Sequence, residues 1–155
     1  KKISEKSIET TFGDMNLILY TDLLSNNTHI ALVKGLIKKD DNVLVRVHEP
    51  LSIFDFIEKD NNHSWPPLKA MDLIKNEEKG VIIFLNYQES QNKIAKALKF
   101  NEEDKHKGDA LRNYGIGSQI LVDLGVTKMR LLASPRKMPS MTGYGLQVTE
   151  FIENN

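Results

Sequence analysis

Alternating apolar and polar residues organise the first third of the chain and predict β-strands there. Two short apolar stretches, Ile8–Phe12 and Asn16–Tyr20, flank Gly13-Asp14 and predict a β-hairpin. A run of β-branched and apolar residues predicts a third strand over Thr28–Ile37. The fourth predicted strand, Val43–His48, alternates strictly, so Arg46 and His48 share one face and the valines the other. This spacing predicts a mostly antiparallel first half.

Helical and strand periods alternate in the second half. The predicted elements there are helices over Leu51–Ile57, Leu68–Asn76 and Gln88–Leu98 and strands over Val81–Leu85 and Gln147–Ile152. Asp60–Pro67 is predicted to be a loop, with Trp65 as its anchor, because Asn-Asn and Pro-Pro pairs interrupt any periodicity. The charged segment Asn101–Gly108 predicts a mobile connection.

The stretch Asp109–Lys137 is predicted to form one αβ unit. Ile116, Ile120, Leu121 and Leu124 fall on one helical face, and Gly125 is placed to end that helix. Met129–Leu132 then predicts a strand, and a Ser-Pro-Arg-Lys loop follows it. Because ligands usually bind at the carboxyl ends of strands in α/β sheets, the pattern indicates a ligand-binding α/β domain with antiparallel strands in its first half and a mixed sheet.

Composition narrows the class of protein. The 155 residues are 40% hydrophobic and carry a formal net charge of zero, so no basic field indicates a nucleic-acid partner. No apolar run approaches the length of a membrane span, and we expect a cytoplasmic protein. The chain contains no cysteine, which excludes disulfides, cysteine-ligated zinc and thiol catalysis. Because it starts with Lys1, we expect a single domain taken from a longer polypeptide.

Candidate binding residues cluster where predicted strands end. Arg46 lies near the end of the fourth strand, Gln88 and Glu89 follow a buried strand, and Ser134 and Lys137 belong to the basic loop, which suits an anion such as phosphate. Each position has an ordinary alternative: a surface charge, a helix cap or a solvated loop. The four histidines lack the spacing of metal ligands, and no metal site is predicted.

Several motifs together resemble the GTP cyclohydrolase II domain. They are THIALVKG, VLVRVHE, GVIIFLNYQES, the NYGIG, QIL, DLGV and MRLL segments within Arg112–Leu132, and GYGLQVTEFI. They follow the family order over nearly the whole chain. That domain often forms the C-terminal half of a bifunctional riboflavin-biosynthesis protein, behind a 3,4-dihydroxy-2-butanone 4-phosphate synthase domain. The resemblance therefore implies a synthase domain ahead of Lys1 and a homodimer.

The resemblance also implies a reaction and a site. Family members open the imidazole ring of GTP with a zinc ion held by three cysteines and release formate and pyrophosphate. By resemblance, Arg112 occupies the position of the catalytic arginine nucleophile and Lys137 that of a phosphate-binding lysine, while Arg46 is retained. Gln91 replaces a phosphate-binding arginine, and the cysteine positions carry other residues. We therefore expect the fold to be kept and GTP hydrolysis to be lost.

Three functions are compatible with these residues. The first is a degenerate domain with a structural, dimerisation or regulatory role beside the synthase half. The second is an active cyclohydrolase with an altered metal site built from His48, Glu49 and His63. The third is a module that senses GTP or flavin through Lys137, Arg112 and Arg46, with magnesium accompanying a bound nucleotide.

Overall fold

The computed structural model of the protein describes residues 1–48, 65–86 and 107–154, and of 107–113 it describes only the backbone. The described residues form seven strands and three helices. The strands are β1 (Lys2–Thr10), β2 (Gly13–Thr21), β3 (Thr28–Lys34), β4 (Asn42–His48), β5 (Gly80–Phe84), β6 (Lys128–Leu132) and β7 (Gln147–Ile152). The helices are α1 (Pro67–Lys75), α2 (Lys107–Asp123) and α3 (Pro139–Gly143).

All seven strands belong to one mixed sheet in the order β1-β2-β3-β5-β4-β6-β7. The pairs β1–β2, β2–β3 and β3–β5 are antiparallel. β4 is parallel to both β5 and β6, and β6 is parallel to β7. The predicted α/β class with a mixed sheet is confirmed. The expectation of a mostly antiparallel first half is confirmed by β1, β2 and β3. β4 is the exception, because its partners come from the second half of the chain, which no local pattern could reveal.

The predicted hairpin is present, but its turn lies two residues earlier than expected. Thr10 pairs with Gly13, so the turn is Thr11-Phe12 and Gly13 opens β2 with a φ of +100°. The Thr10 hydroxyl donates to the Gly13 carbonyl at 2.7 Å and accepts from the Phe12 N–H at 3.0 Å. This side-chain turn fixes the register that the Gly-Asp pair was expected to set.

Three predicted boundaries also move. β3 ends at Lys34 rather than Ile37, because Lys34 pairs with Gly80, the first residue of β5. Pro67 begins α1 rather than closing the preceding loop, as suits proline in the first helical turn. Lys107 and Gly108 are helical, which corrects the prediction for the end of segment 101–108. The predicted helices Leu51–Ile57 and Gln88–Leu98 lie outside the described residues.

Each face of the sheet carries its own apolar core. Val43, Val45 and Val47 belong to the core under α2, and Leu44 belongs to the core under α1, so the predicted division of β4 into two faces is confirmed. The α1 core includes Trp65, whose ring nitrogen donates to the Ile152 carbonyl at 2.7 Å. Trp65 thus anchors the entrance to α1, as expected.

Helix α2 packs through the face that periodicity predicts. Ile120 and Leu121 are buried, and Ile116 and Leu124 pack against the same core. Gly125 ends the helix with a φ of +86°, while its N–H reaches the Val122 carbonyl and the Val126 N–H reaches that of Leu121, both at 3.0 Å. These two bonds form a Schellman cap, so the predicted helix stop is confirmed.

A close approach sets how α2 lies on the sheet. A Cβ atom placed on Gly117 would stand 3.2 Å from Val47 Cγ1. The missing side chain therefore lets the helix backbone settle against the end of β4. Among the helices that the structure describes, none is long and apolar enough to cross a membrane.

Candidate functional site

Four parallel strands place their carboxyl ends at one edge of the sheet. β4 ends at His48, β5 at Phe84, β6 at Leu132 and β7 at Ile152, and Ser134 lies two residues beyond β6. Helix α2 contributes its first half to this edge, because the Arg136 guanidinium lies 5.6 Å from the Tyr114 ring. We call this region the carboxyl edge. It is the place where α/β sheets usually bind ligands, and it collects most of the candidate residues.

Arg46 is directed into the α1 side of this edge, with only 5% of its surface exposed. Its Nη1 atom donates to the Leu132 carbonyl at 3.0 Å. A buried guanidinium needs such partners because desolvation of its charge is costly. Arg46 is therefore committed at least in part to tying the end of β4 to the end of β6, and its role in substrate binding remains a prediction.

Two histidines are buried at the same edge, one from each of two strands. The His48 ring meets the Phe84 ring edge-on, with centroids 6.2 Å apart, and is fully buried. His29, on β3, accepts the Asn86 N–H through Nδ1 at 3.1 Å. That bond requires an unprotonated Nδ1, and it fixes the backbone immediately after β5. Sequence reasoning missed His29, because a lone histidine in an apolar strand carries no spacing signal.

The basic loop presents its two charges differently. Lys137 is exposed, and Ser134, two residues after the strand, is partly buried. Arg136 is also exposed, but its stacking over Tyr114 holds it against α2. Lys137 is thus the freer of the two cations to meet an anion from solvent.

An open depression of about 440 Å³ lies beside Arg136. Its lining is mostly apolar and comes from the basic loop, α3 and β7: Arg136, Met138, Met141, Thr142, Gly145, Leu146, Gln147, Val148 and Phe151. The depression was not predicted from sequence, because its lining residues converge only in the folded chain.

The remaining candidates are placed less fully. Arg112 lies in α2, two residues before Tyr114, so its backbone is at the carboxyl edge. Gln88 and Glu89 lie outside the described residues, as do Glu49, His63 and Gln91. The structure therefore brings Arg46, Ser134 and Lys137 to one edge together with the Arg112 backbone.

The donor set does not suit a thiolate zinc site. The chain has no cysteine at any position, so three sulfur ligands cannot come from it. Within the described ranges, no group of three histidine, aspartate or glutamate side chains is placed to hold a metal ion. Of the alternative set predicted from sequence, only His48 is described, and its ring is packed against Phe84.

This architecture is that of a known family. The family model for GTP cyclohydrolase II matches residues 1–153, and the chain belongs to that family. A 3,4-dihydroxy-2-butanone 4-phosphate synthase of Neisseria meningitidis serogroup A is 40% identical over 94% of the chain and 40% of its own length. A riboflavin biosynthesis protein RibBA of Cytophaga hutchinsonii is 37% identical over 92% of the chain and 39% of its own length.

A solved structure has the same fold. The chain superposes on RibBX, a two-domain 3,4-dihydroxy-2-butanone 4-phosphate synthase from A. baumannii, with a TM-score of 0.74 and 27% identity. The match covers 98% of this chain and 40% of RibBX. The chain thus spans about two fifths of the length of the proteins it matches.

Proposed function

We propose that this domain belongs to a riboflavin-biosynthesis polypeptide, does not open the GTP ring, and supports a 3,4-dihydroxy-2-butanone 4-phosphate synthase half in a structural, dimerisation or regulatory role. The observation that carries the proposal is the complete lack of cysteine in a chain of the GTP cyclohydrolase II family. We further propose that the polypeptide is a cytoplasmic homodimer, as the resemblance implies.

The chemistry explains why the cysteines matter. Water at neutral pH is a weak nucleophile, and a bound zinc ion lowers the pKa of that water to about 7. The chain has no cysteine to supply the three thiolates that the family uses, so it cannot activate water in the family's way.

The relatives support a role beside a synthase. The Neisseria protein and RibBX are both named as synthases, and RibBX is described as having two domains. A domain of the GTP cyclohydrolase II fold that no longer opens GTP would have a different role in such a protein. Support of the neighbouring domain is the use that requires no chemistry from the site itself.

Two assays on the complete polypeptide test the proposal. Purified protein is incubated with GTP and either zinc or magnesium, and formate is measured beside a metal analysis. We expect no formate, and turnover with stoichiometric zinc would refute the loss of activity. Synthase activity is then compared with and without residues 1–155. Reduced synthase activity without the domain is expected, and undiminished activity would refute the supporting role.

A second candidate function is anion binding, favoured by the exposure of Lys137 at the carboxyl edge. The Arg112 backbone is at the same edge, and a nucleotide bound there with magnesium would make this a sensing module. Calorimetric titration with GTP, and separately with flavin mononucleotide, tests it. Binding that weakens in Lys137→Gln but not in Lys69→Gln, on α1, would support sensing, whereas no measurable heat would favour a purely structural role.

A further inference from the structure

The loop between β2 and β3 presents two leucines to solvent. Leu24 is 95% exposed and Leu23 is 75% exposed, and both lie just after β2. We call Asp22–Asn27 the leucine loop. Single exposed apolar residues are common, but adjacent leucines displayed at a loop tip are typical of an interaction surface.

Internal hydrogen bonds hold the leucine loop in shape. The Asp22 carboxylate accepts from the Leu24 N–H at 2.9 Å and from the Ser25 hydroxyl at 2.7 Å. The Asp22 carbonyl accepts from the Asn26 N–H at 2.8 Å, and Asn26 has a φ of +58°. The leucines are thus carried on a preorganised turn, which lowers the entropic cost of docking them against a partner.

The start of the chain lies directly beside this loop. Lys1 and Thr21 exchange two hydrogen bonds of 2.8 Å, so Lys1 sits next to the residue from which the leucine loop departs. Residues placed before Lys1 in a longer polypeptide would therefore leave the domain alongside Leu23 and Leu24. Ile3, which is 54% exposed at the irregularity in β1, lies at the same end of the β1–β2 pair.

We propose that Leu23 and Leu24 dock onto the synthase domain that precedes Lys1 in the same polypeptide. This inference rests on the proposed function, which supplies that domain. A covalently preceding domain would have a high local concentration at the leucine loop. The match covers only 40% of the Neisseria protein and 40% of RibBX, which leaves length for such a domain.

Photo-crosslinking in the complete polypeptide tests the contact. Leu24 is replaced by p-benzoylphenylalanine, and Leu36 is replaced in the control, because it is 73% exposed but lies beyond the other end of β3. After irradiation, we expect peptide mapping to find Leu24 cross-links within the preceding domain of the same molecule and none from Leu36. Cross-links to a second copy of the leucine loop, or none at all, would overturn the proposal.

A second measurement avoids dependence on the bulky probe. Hydrogen exchange is compared between the parent polypeptide and a Leu23→Ser/Leu24→Ser variant, with Leu36→Ser as the control. Docking requires that a segment of the preceding domain lose protection only in the double variant, and unchanged protection would overturn it. Synthase and formate assays on the same samples test the proposed function separately. The two results are distinguishable because the leucines can dock onto the preceding domain without changing its synthase activity.

Discussion

The guanidinium of Arg46 donates a hydrogen bond of 3.0 Å to the main-chain oxygen of Leu132, and the Arg46 side chain is almost entirely buried. The contact joins the last part of β4 to the last residue of β6, at the edge where the candidate residues gather. Arg46, which was predicted to bind substrate, therefore also ties together the strand ends that form the candidate site.

Replacing Arg46 with methionine should destabilise the fold. Arg46→Met keeps most of the side-chain volume but removes a charge-assisted hydrogen bond, so we expect the free energy of unfolding to fall by about 2 kcal/mol. Urea denaturation measures the change. Arg136→Met, at an exposed position, should alter stability by about 0.5 kcal/mol or less and serves as the control. Equal effects of the two substitutions would contradict a structural role for Arg46.

The Tyr20 hydroxyl predicts a dependence of stability on alkaline pH. It donates to Asp123 at 2.6 Å, and burial together with the Asp123 carboxylate raises its pKa above the ordinary value. The folded state then retains a proton that the unfolded state loses near pH 10, so this stabilisation is complete below about pH 10 and declines as pH rises further.

Urea unfolding measures this dependence when the parent and Tyr20→Phe are compared at about pH 8 and about pH 11, on either side of that transition. The variant should be less stable at the lower pH, and the difference between the two proteins should narrow at the higher pH. A difference that stays constant across the range would show that the hydroxyl proton does not couple to folding.

Two glycines of α2 should respond differently to alanine. A Cβ on Gly115 meets nothing within 4 Å, so Gly115→Ala should raise stability by up to about 1 kcal/mol through helix propensity. A Cβ on Gly117 would crowd Val47, and the packing cost of about 1–3 kcal/mol should cancel or exceed the same gain. Denaturation midpoints compare the variants, and equal stabilisation by both would mean that Val47 yields without cost.

Much of the fold could be predicted from local patterns, because those patterns reflect which side chains are buried. The alternation in β4 assigned its two faces correctly, and the period of α2 with Gly125 gave both the buried face and the end of the helix. The parallel pairing of β4 could not be predicted, because contacts between residues distant in sequence determine which strands pair. The hairpin turn was misplaced because Thr10 builds a turn that no glycine signal marks.

The placement of the candidate residues could be predicted in part. The basic loop after β6 was expected at the carboxyl end of a strand, where ligands usually bind, and its role in binding stays a prediction. The burial of Arg46 was not foreseen, since charged residues near strand ends are usually exposed. The contact of His29 with Asn86 joins residues 57 positions apart, and only the folded chain reveals it.

The bond from Trp65 to Ile152 gives the domain an intrinsic optical probe. Trp65 is the only tryptophan among the 155 residues, it is 4% exposed, and its ring nitrogen is held at the last residue of β7. Release of that strand would expose the indole to water and shift its fluorescence emission to longer wavelength. The departure of β7 from the sheet edge can therefore be followed in real time without attaching a label.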